Sequence, residues 1–405
     1  MNIVSKRYLA IAGFVIVVIF FATILYLLFF RQPTEPITNG ITPGGVGGLP
    51  RVNPGQPGAG QIGEPGGLPP TSEELQVISP IADGGVTETT PVVSNFTSSP
   101  TTDGRTVLYY QPDDGKFYRL TTEGKVETLS DQVFYNVREI TWSPNKGAAV
   151  LEYPDGSNII YNFQTKSQVT LPKHWQEFSF SPDGGQIVFK SMGLDSQSRW
   201  LATSDINGGN NEAIEPLGNN AKTVTVSWSP NRQVIALQRE VTGTDSQNVY
   251  FIGLQGENFR SMTVPGIGLR SQWTPDGQSL LYSVSSPASE YKPALWIANA
   301  AGDSIGENRR SLGLNTWADK CAFRDESNII CAVPQELPVG AGLTPGIANA
   351  TPDNLYSVNL STGARSLLAI PSTPVTVENI MITSDKKWIF LKEVTTGNLY
   401  RIALP

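Results

Sequence analysis

The sequence predicts an all-β fold: a seven-bladed β-propeller of four-stranded blades, preceded by one transmembrane helix and a Pro/Gly-rich linker. Three observations predict it, namely a recurring hairpin phrase, a repeat period that suits four strands, and an uncharged apolar run near the N-terminus. They divide the chain into residues 1–7, 8–30, 31–72 and 73–405. We expect these to be a cytoplasmic N-terminus, the transmembrane helix, a disordered linker and the propeller.

The clearest copy of the hairpin phrase runs from Phe178 to Phe189. Apolar and polar residues alternate on both sides of its Ser-Pro-Asp-Gly turn. In such a turn proline fixes φ, aspartate bonds its own backbone and glycine adopts a positive φ, so the phrase predicts a β-hairpin. Other copies, some degenerate, lie at Ser99, Trp142, Trp228, Trp273, Phe323 and Ile382.

The spacing of the copies predicts the blades. The anchor residues at 142, 180, 228, 273, 323 and 382 lie 38 to 59 residues apart, and propeller blades repeat at about 40–50 residues. In each unit strand A precedes the turn, strand B follows it, and strands C and D complete the blade. Seven units can be counted, and the last ends one strand short. We expect the run from Leu75 to Ile78 to supply the missing strand D of blade seven.

The segment from Tyr8 to Phe30 contains no charged residue. As a helix it would be about 34 Å long, enough for a hydrocarbon core of about 30 Å. Lys6 and Arg7 precede it, so the positive-inside rule predicts a cytoplasmic N-terminus and an extracytoplasmic propeller on a single-pass cell-membrane anchor. A cleaved signal peptide is the alternative, but the apolar run is long and no small-x-small cleavage pattern follows it.

The repeats resemble those of the TolB-like β-propellers, whose signature is a Trp/Phe-Ser-Pro-Asp-Gly turn followed by Ile-Ala-Phe-like strand residues. The resemblance covers roughly residues 95–405. It implies the propeller fold. Because the same repeat occurs in periplasmic scaffolds, in the propellers of some serine peptidases and in certain lyases, the resemblance leaves the function open.

Composition and motifs argue against several functions. The net charge of −7 disfavours a nucleic-acid partner. With one histidine and two cysteines, we expect no metal site and no cofactor. The run from Gly302 to Gly306 matches the Gly-x-Ser-x-Gly motif of serine hydrolases. It falls in a predicted turn rather than between a strand and a helix, so we expect no catalytic residue at Ser304.

Cys321 and Cys331 flank the A–B turn of blade six. If that hairpin pairs symmetrically about Glu326, the two cysteines face each other directly, which is close enough for a disulfide. An extracytoplasmic location favours the bond. The alternative is two buried free thiols.

The lengths of the B–C loops indicate where binding occurs. These loops share one face of the ring, here the top face, with the start of strand A. They are long in blades three to six, at residues 191–199, 240–248, 285–293 and 334–354. Long loops on a rigid scaffold often bind partners, although neutral drift is the alternative. The predicted binding residues are His174, Trp175, Asp195, Arg199, Arg270, Tyr291, Lys292, Trp317 and Lys320.

We therefore expect a binding or scaffold protein of the cell envelope, with an envelope protein or glycan as its partner. The alternative is a glycan- or small-ligand-binding protein, or a lyase, that uses the channel mouth. Basic residues lie near the start of strand A in blades two to six; chance is the favoured explanation of their positions, and an anion-binding mouth is the alternative. They are Arg138, Lys173, Lys222, Arg270 and Lys320.

Overall fold

The structure, a computed structural model, describes residue 17, residues 19–23 and residues 77–405. It divides into the units Met1–Thr71 and Ser72–Pro405. In the first unit, residues 19–23 are helical. No helix within the described ranges has the length and apolar character needed to cross a membrane. Most of the predicted span from Tyr8 to Phe30, and all of the linker, lie outside those ranges.

In the second unit, seven sheets form the seven blades of a β-propeller, each with at least four strands. Two short strands come first, and three blades follow. The first strands are β1 (Val86–Thr87) and β2 (Thr90–Val93). Blade one contains β3 (Ser98–Thr102), β4 (Val107–Gln111), β5 (Lys116–Leu120) and β6 (Val126–Ser130). Blade two contains β7 (Glu139–Trp142), β8 (Ala148–Glu152), β9 (Asn158–Asn162) and β10 (Ser167–Leu171). Blade three contains β11 (Trp175–Phe180), β12 (Gln186–Met192), β13 (Arg199–Asp205) and β14 (Glu212–Pro216).

The other four blades follow in chain order. Blade four contains β15 (Val224–Val226), β16 (Val234–Val241), β17 (Gln247–Gly253) and β18 (Met262–Val264). Blade five contains β19 (Ile267–Trp273), β20 (Ser279–Ser285), β21 (Pro293–Asn299) and β22 (Arg310–Ser311). Blade six contains β23 (Cys321–Phe323), β24 (Asn328–Pro334), β25 (Asp353–Asn359) and β26 (Arg365–Pro371). Blade seven contains β27 (Val377–Ile382), β28 (Trp388–Glu393) and β29 (Leu399–Ala403).

The recurring phrase forms the predicted A–B hairpins because its polar side chains close the turn. In blade three the Ser181 hydroxyl donates to Asp183 at 2.6 Å and accepts the N–H of Gln186 at 2.9 Å. Gly184 adopts φ = 74°, the left-handed conformation that glycine tolerates. The same serine or threonine bonds recur at Ser143, Ser229, Thr274 and Thr383.

Strand B is the most deeply buried strand because it pairs with strands A and C and packs against both neighbouring blades. In blade four, Val234, Ile235 and Ala236 have no exposed surface. Val234 packs with blade five and Ile235 with blade three. A short continuous apolar run is the pattern expected of a strand buried on both faces. The core therefore lies between the blades, around a central channel.

The ring is closed by a different segment from the predicted one. Strand β2, not the run from Leu75 to Ile78, pairs with β29 as strand D of blade seven. Val77 and Ile78 are exposed and lie outside any strand. The closing strand includes Pro91, which an outermost strand accepts because one of its edges needs no ladder partner. Strand β1 also pairs parallel with β26, as a fifth strand of blade six.

A buried polar residue at the start of strand C links neighbouring blades. It is Asn158 in blade two, Gln247 in blade four and Asp353 in blade six. Asn158 donates to the carbonyl of Trp175 at 2.7 Å, and Gln247 donates to that of Gly266 at 2.9 Å. Asp353 accepts the first N–H of β27 at 2.7 Å. Each bond reaches the start of the next blade's strand A, so these residues hold the top face together.

Candidate binding site on the top face

The two cysteines lie in the A–B hairpin of blade six, beside Lys320. Cys321 and Cys331 are opposite partners in the β23–β24 hairpin and form a disulfide, with Cα atoms 4.0 Å apart. Both side chains are buried. The prediction from hairpin symmetry is confirmed. The bond connects the first residue of strand A to strand B, immediately after Lys320.

The predicted long B–C loops are present in blades three, five and six, but not in blade four. Between strands B and C lie residues 193–198, 242–246, 286–292 and 335–352 in blades three to six. The blade-six loop, residues 335–352, is the longest of these and contains the short 3-10 helix Pro345–Ala350. Blades one, two, four and seven have connections of four or five residues at the equivalent place, because in blade four β16 and β17 extend into the predicted loop.

The blade-six loop is attached to both neighbouring blades. The N–H of Gly340 donates to Glu290 O at 2.9 Å, and that of Gly342 donates to Tyr291 O at 2.8 Å. A Cβ atom at Gly342 would lie only 2.8 Å from that Tyr291 oxygen, so this approach requires glycine. On the other side, the Thr376 hydroxyl of blade seven donates to the loop at 3.0 Å. The loops of blades five and six therefore form one continuous surface.

A pocket of about 200 Å³ lies beneath this loop. Lys320 contributes to one wall and forms an ion pair with Asp353. The Lys320 ammonium lies 2.7 Å from each carboxylate oxygen of Asp353, whose side chain has no exposed surface. Burial lowers the pKa of Lys320 and raises the pKa of Asp353, while their mutual attraction opposes both shifts. The pair connects the start of β25 to the approach to β23.

The second wall is a tryptophan ring with two cations near its face. The guanidinium carbon of Arg270 lies 5.4 Å from the ring centroid of Trp317, and the Lys320 ammonium lies 5.9 Å from it. Arg270 also contacts the Asp319 carboxylate at 2.7 Å. Cations in these positions are attracted to the electron-rich ring face. Three of the predicted site residues, Arg270, Trp317 and Lys320, thus come together, although the Trp317 side chain is itself buried.

In blade three, the predicted residues have mostly structural contacts. Trp175 is buried and stacks on Phe189 with ring centroids 3.7 Å apart, so it belongs to the core rather than to the mouth surface. His174 beside it is exposed. Arg199 donates to the carbonyl of Gly193 at 3.3 Å and shapes its own loop. Asp195 accepts a backbone bond within the same loop.

In blade five, Tyr291 and Lys292 lie on the predicted wall. Tyr291 adopts φ = 54° and supplies the carbonyl that receives the blade-six loop. The Lys292 ammonium lies 2.6 Å from Glu290. Lys292 lines a separate groove outside the mouth, along blade six. These two residues support the loop surface rather than the pocket.

The basic residues near strand A do not make an anion-binding mouth, because acidic partners neutralise most of them. Besides the pairs of Arg270 and Lys320, Arg138 contacts Glu152 at 3.2 Å and Lys173 contacts Asp155 at 3.1 Å. Within the described part of the chain, only Lys222 of the five has no ion-pair partner. Because most of these basic residues are paired with acids, they form no shared positive surface, and chance is sufficient to explain their positions.

Glu152, at the end of β8, is the buried acid on the opposite side of the mouth. Its side chain is 1% exposed, and its Oε1 atom has no hydrogen-bond partner. Glu139 lies directly opposite it in the β7–β8 ladder. Burial, and then the charge of Glu139, raise the pKa of Glu152 to about 7, although Arg138 opposes the shift.

The sequence did not predict a set of exposed apolar residues on the B–C loops and, in blade four, at the end of β16. Leu194 in the blade-three loop is 98% exposed. Single exposed apolar residues are ordinary, but several on one face indicate an interaction surface. The signal was present as apolar letters within otherwise polar, glycine-rich loops. We call these residues the apolar rim, and they are Leu194, Val241, Val339, Leu343 and Ile347.

Comparisons with solved structures agree with the fold. No protein-family model and no curated protein matches the chain. A chain of a mitotic checkpoint complex matches 86% of this chain and 98% of its own length, with a TM-score of 0.51 and 14% identity. An oligogalacturonate lyase in complex with manganese matches 81% and 95%, with a TM-score of 0.50 and 16% identity. An oligogalacturonate lyase from Vibrio parahaemolyticus matches 80% and 96%, with a TM-score of 0.50 and 14% identity. At these identities the similarity concerns the propeller fold alone.

Proposed function

We propose that this chain is a membrane-anchored, extracytoplasmic propeller of the TolB-like type that binds an envelope protein through its top face. The apolar rim is the observation that carries the proposal. Four of its residues lie on the B–C loops of blades three and six, and Val241 ends β16 of blade four, so all five are on the top face. Burying such side chains against a partner contributes about 25 cal/mol for each Å² of apolar surface.

The support of the loops favours a binding role. The blade-six loop carries Val339, Leu343 and Ile347 and is hydrogen-bonded to blades five and seven. A surface that is held in place before association loses less conformational entropy on binding. The membrane anchor in the proposal rests on the uncharged run from Tyr8 to Phe30 and its basic N-terminal flank.

The pocket under the blade-six loop is poorly suited to a small ligand, whereas the apolar rim is suited to a protein partner. Its volume of about 200 Å³ is below the roughly 300–1,000 Å³ of most ligand sites. Its charges are already paired: Lys320 with Asp353 in a buried pair, and Arg270 with Asp319 in an exposed one. Two of the similar structures are named oligogalacturonate lyases. Glycan or small-ligand binding at the mouth, or a lyase activity there, is the alternative that the crosslinking experiment distinguishes.

Site-specific photo-crosslinking tests the proposal. A photoreactive amino acid would replace Leu343 on the rim, Leu194 on the blade-three loop, or Val126 as a control on the bottom face. Val126 is an exposed apolar residue at the start of β6, so it matches the rim positions in character. We expect one protein to be captured from both top positions and not from Val126. Capture from Val126 alone, or loss of the crosslink when galacturonate oligomers are present during irradiation, would contradict the proposal.

The anchoring has its own test. Protease added to intact spheroplasts should digest the propeller, because the proposal places it outside the membrane. Protection of the propeller until the membrane is broken would place it on the cytoplasmic side and would refute the orientation.

A further inference from the structure

Blade four has an outer edge that its own strand D does not cover. Strand β18 pairs with β17 only at Gln247, Asn248 and Val249. Beyond them, residues 250–253 receive no further backbone hydrogen bond on the outer side. Their outward N–H and C=O groups therefore lack the partners that a sheet normally supplies.

The other blades do not share this feature in the part of the chain that the structure describes. In blade five, where β22 has only two residues, the N–H groups of Leu295 and Asn299 in strand C donate to the carbonyls of Leu314 and Glu307. In blade six, strand C pairs with β26, and Asn359 continues the pattern with Ala364. The chain after β17 instead makes one local bond, from Gln255 N to the Glu257 carboxylate at 2.7 Å.

An acidic groove of about 430 Å³ runs along this edge. It lies between the outer strand of blade three and β17. Its lining includes Glu215, Glu240 and Glu257, all exposed, and no lysine or arginine. Tyr250 contributes its ring and donates to Glu240 at 2.6 Å. The groove thus combines a free strand edge with negative charge.

We propose that this edge binds an extended basic peptide segment by strand addition. Main-chain hydrogen bonds to residues 250–253 would provide affinity, as in other cases in which a peptide extends a sheet. Alternate side chains of a strand point the same way, so lysine or arginine at every second position would face the glutamates of the groove. The edge lies on the outer side of blade four.

The test uses the full-length chain in detergent micelles and a fluorescein-labelled hexapeptide of alternating lysine and valine. Fluorescence anisotropy measures its Kd, and hydrogen exchange measures protection of residues 250–253. We expect binding together with slower exchange at these residues. A peptide of the same sequence that is N-methylated at alternate residues keeps the charge but loses backbone donors. We expect it not to bind.

Variants separate charge from backbone recognition. The double variant Glu215→Gln/Glu257→Gln should weaken binding about fivefold, since each exposed charge contributes a fraction of a kcal/mol to about one kcal/mol. Glu212→Gln, on the same strand β14 but outside the groove, is the matched control and should leave Kd unchanged. The proposal is overturned if the hexapeptide does not bind, if the methylated peptide binds equally well, or if residues 250–253 exchange at an unchanged rate.

Discussion

Two sides of the top mouth each bury one carboxylate, and they satisfy it differently. Asp353, on the side of blades five to seven, has both oxygens on Lys320 and also accepts the N–H of Val377. Glu152, on the side of blades two and three, has one contact with Arg138 at 3.2 Å and leaves its Oε1 atom unpartnered. The two side chains have 0% and 1% of their surface exposed.

The difference in pairing has different consequences: a fully paired buried carboxylate stabilises the fold, whereas an incompletely paired one makes stability depend on pH. A buried charge is expensive unless its partner is equally well placed. Asp353 has such a partner, so the pair holds the mouth beneath the blade-six loop. Glu152 does not, and its pKa is raised to about 7, so its charge changes near neutral pH. The first side should therefore depend on the integrity of the pair, and the second on the pH.

The largest effect should follow from removing one member of the complete pair. Asp353→Ala would leave the Lys320 ammonium buried without a counter-charge, which costs about 3–5 kcal/mol of unfolding free energy. Urea denaturation of the variant and the wild type measures the difference. The double variant Asp353→Leu/Lys320→Met is the control and should recover most of the loss. A cost below about 1 kcal/mol for Asp353→Ala would show that the Lys320–Asp353 pair contributes no more than a surface ion pair.

The second prediction concerns the incomplete side. Because the pKa of Glu152 is raised from its usual value near 4.5 to about 7, the folded state holds its proton where the unfolded state has lost it. Stability from this group is therefore present below about pH 4.5 and is lost as the pH rises through about 7, by about 3 kcal/mol. Glu152→Gln should lack this loss and should exceed the wild type in stability at pH 8. Parallel pH profiles of the two proteins would contradict the assignment.

Much of the fold could be predicted because its signals are local. Consecutive residues determine the turn after Phe180, and the symmetry of a single hairpin predicts that Cys321 lies opposite Cys331. The strand that contains Pro91 was missed because an outermost strand bonds on one edge only and needs little apolar alternation. Asp353 was missed because its partner, Lys320, lies 33 positions away. The sequence signal that could have identified Asp353 is the recurrence of a polar residue at the start of strand C.

The third prediction concerns the disulfide on the complete side. The bond between Cys321 and Cys331 closes a loop with a sequence separation of 10, so its removal should cost about 2–3 kcal/mol by the loop-entropy relation. Denaturation with and without reductant, beside the double serine variant, measures the cost. The serine variant should not respond to reductant. Two alkylatable thiols in protein that is denatured without reductant would refute the bond.

The smallest effect should follow from easing the repulsion on the incomplete side. Glu139 lies directly across the ladder from Glu152, and like charges in that position are destabilising by about 0.2–1 kcal/mol. Glu139→Gln should therefore raise stability at pH 8 by about that amount and lower the pKa of Glu152. The midpoint of the stability–pH profile reports the shift. An unchanged midpoint would show that burial alone sets the pKa.

The most direct test of the proposed function is the affinity of a loop-trimmed variant for the protein captured by photo-crosslinking. Replacing residues 335–352 with the short turn of blade two removes Val339, Leu343 and Ile347 together. An unchanged far-ultraviolet circular dichroism spectrum would confirm that the trimmed propeller remains folded. We predict that binding is lost, and that the Val126→Ser control binds as the wild type does. Undiminished binding by the folded, trimmed variant would contradict the central claim that the top face carries the function.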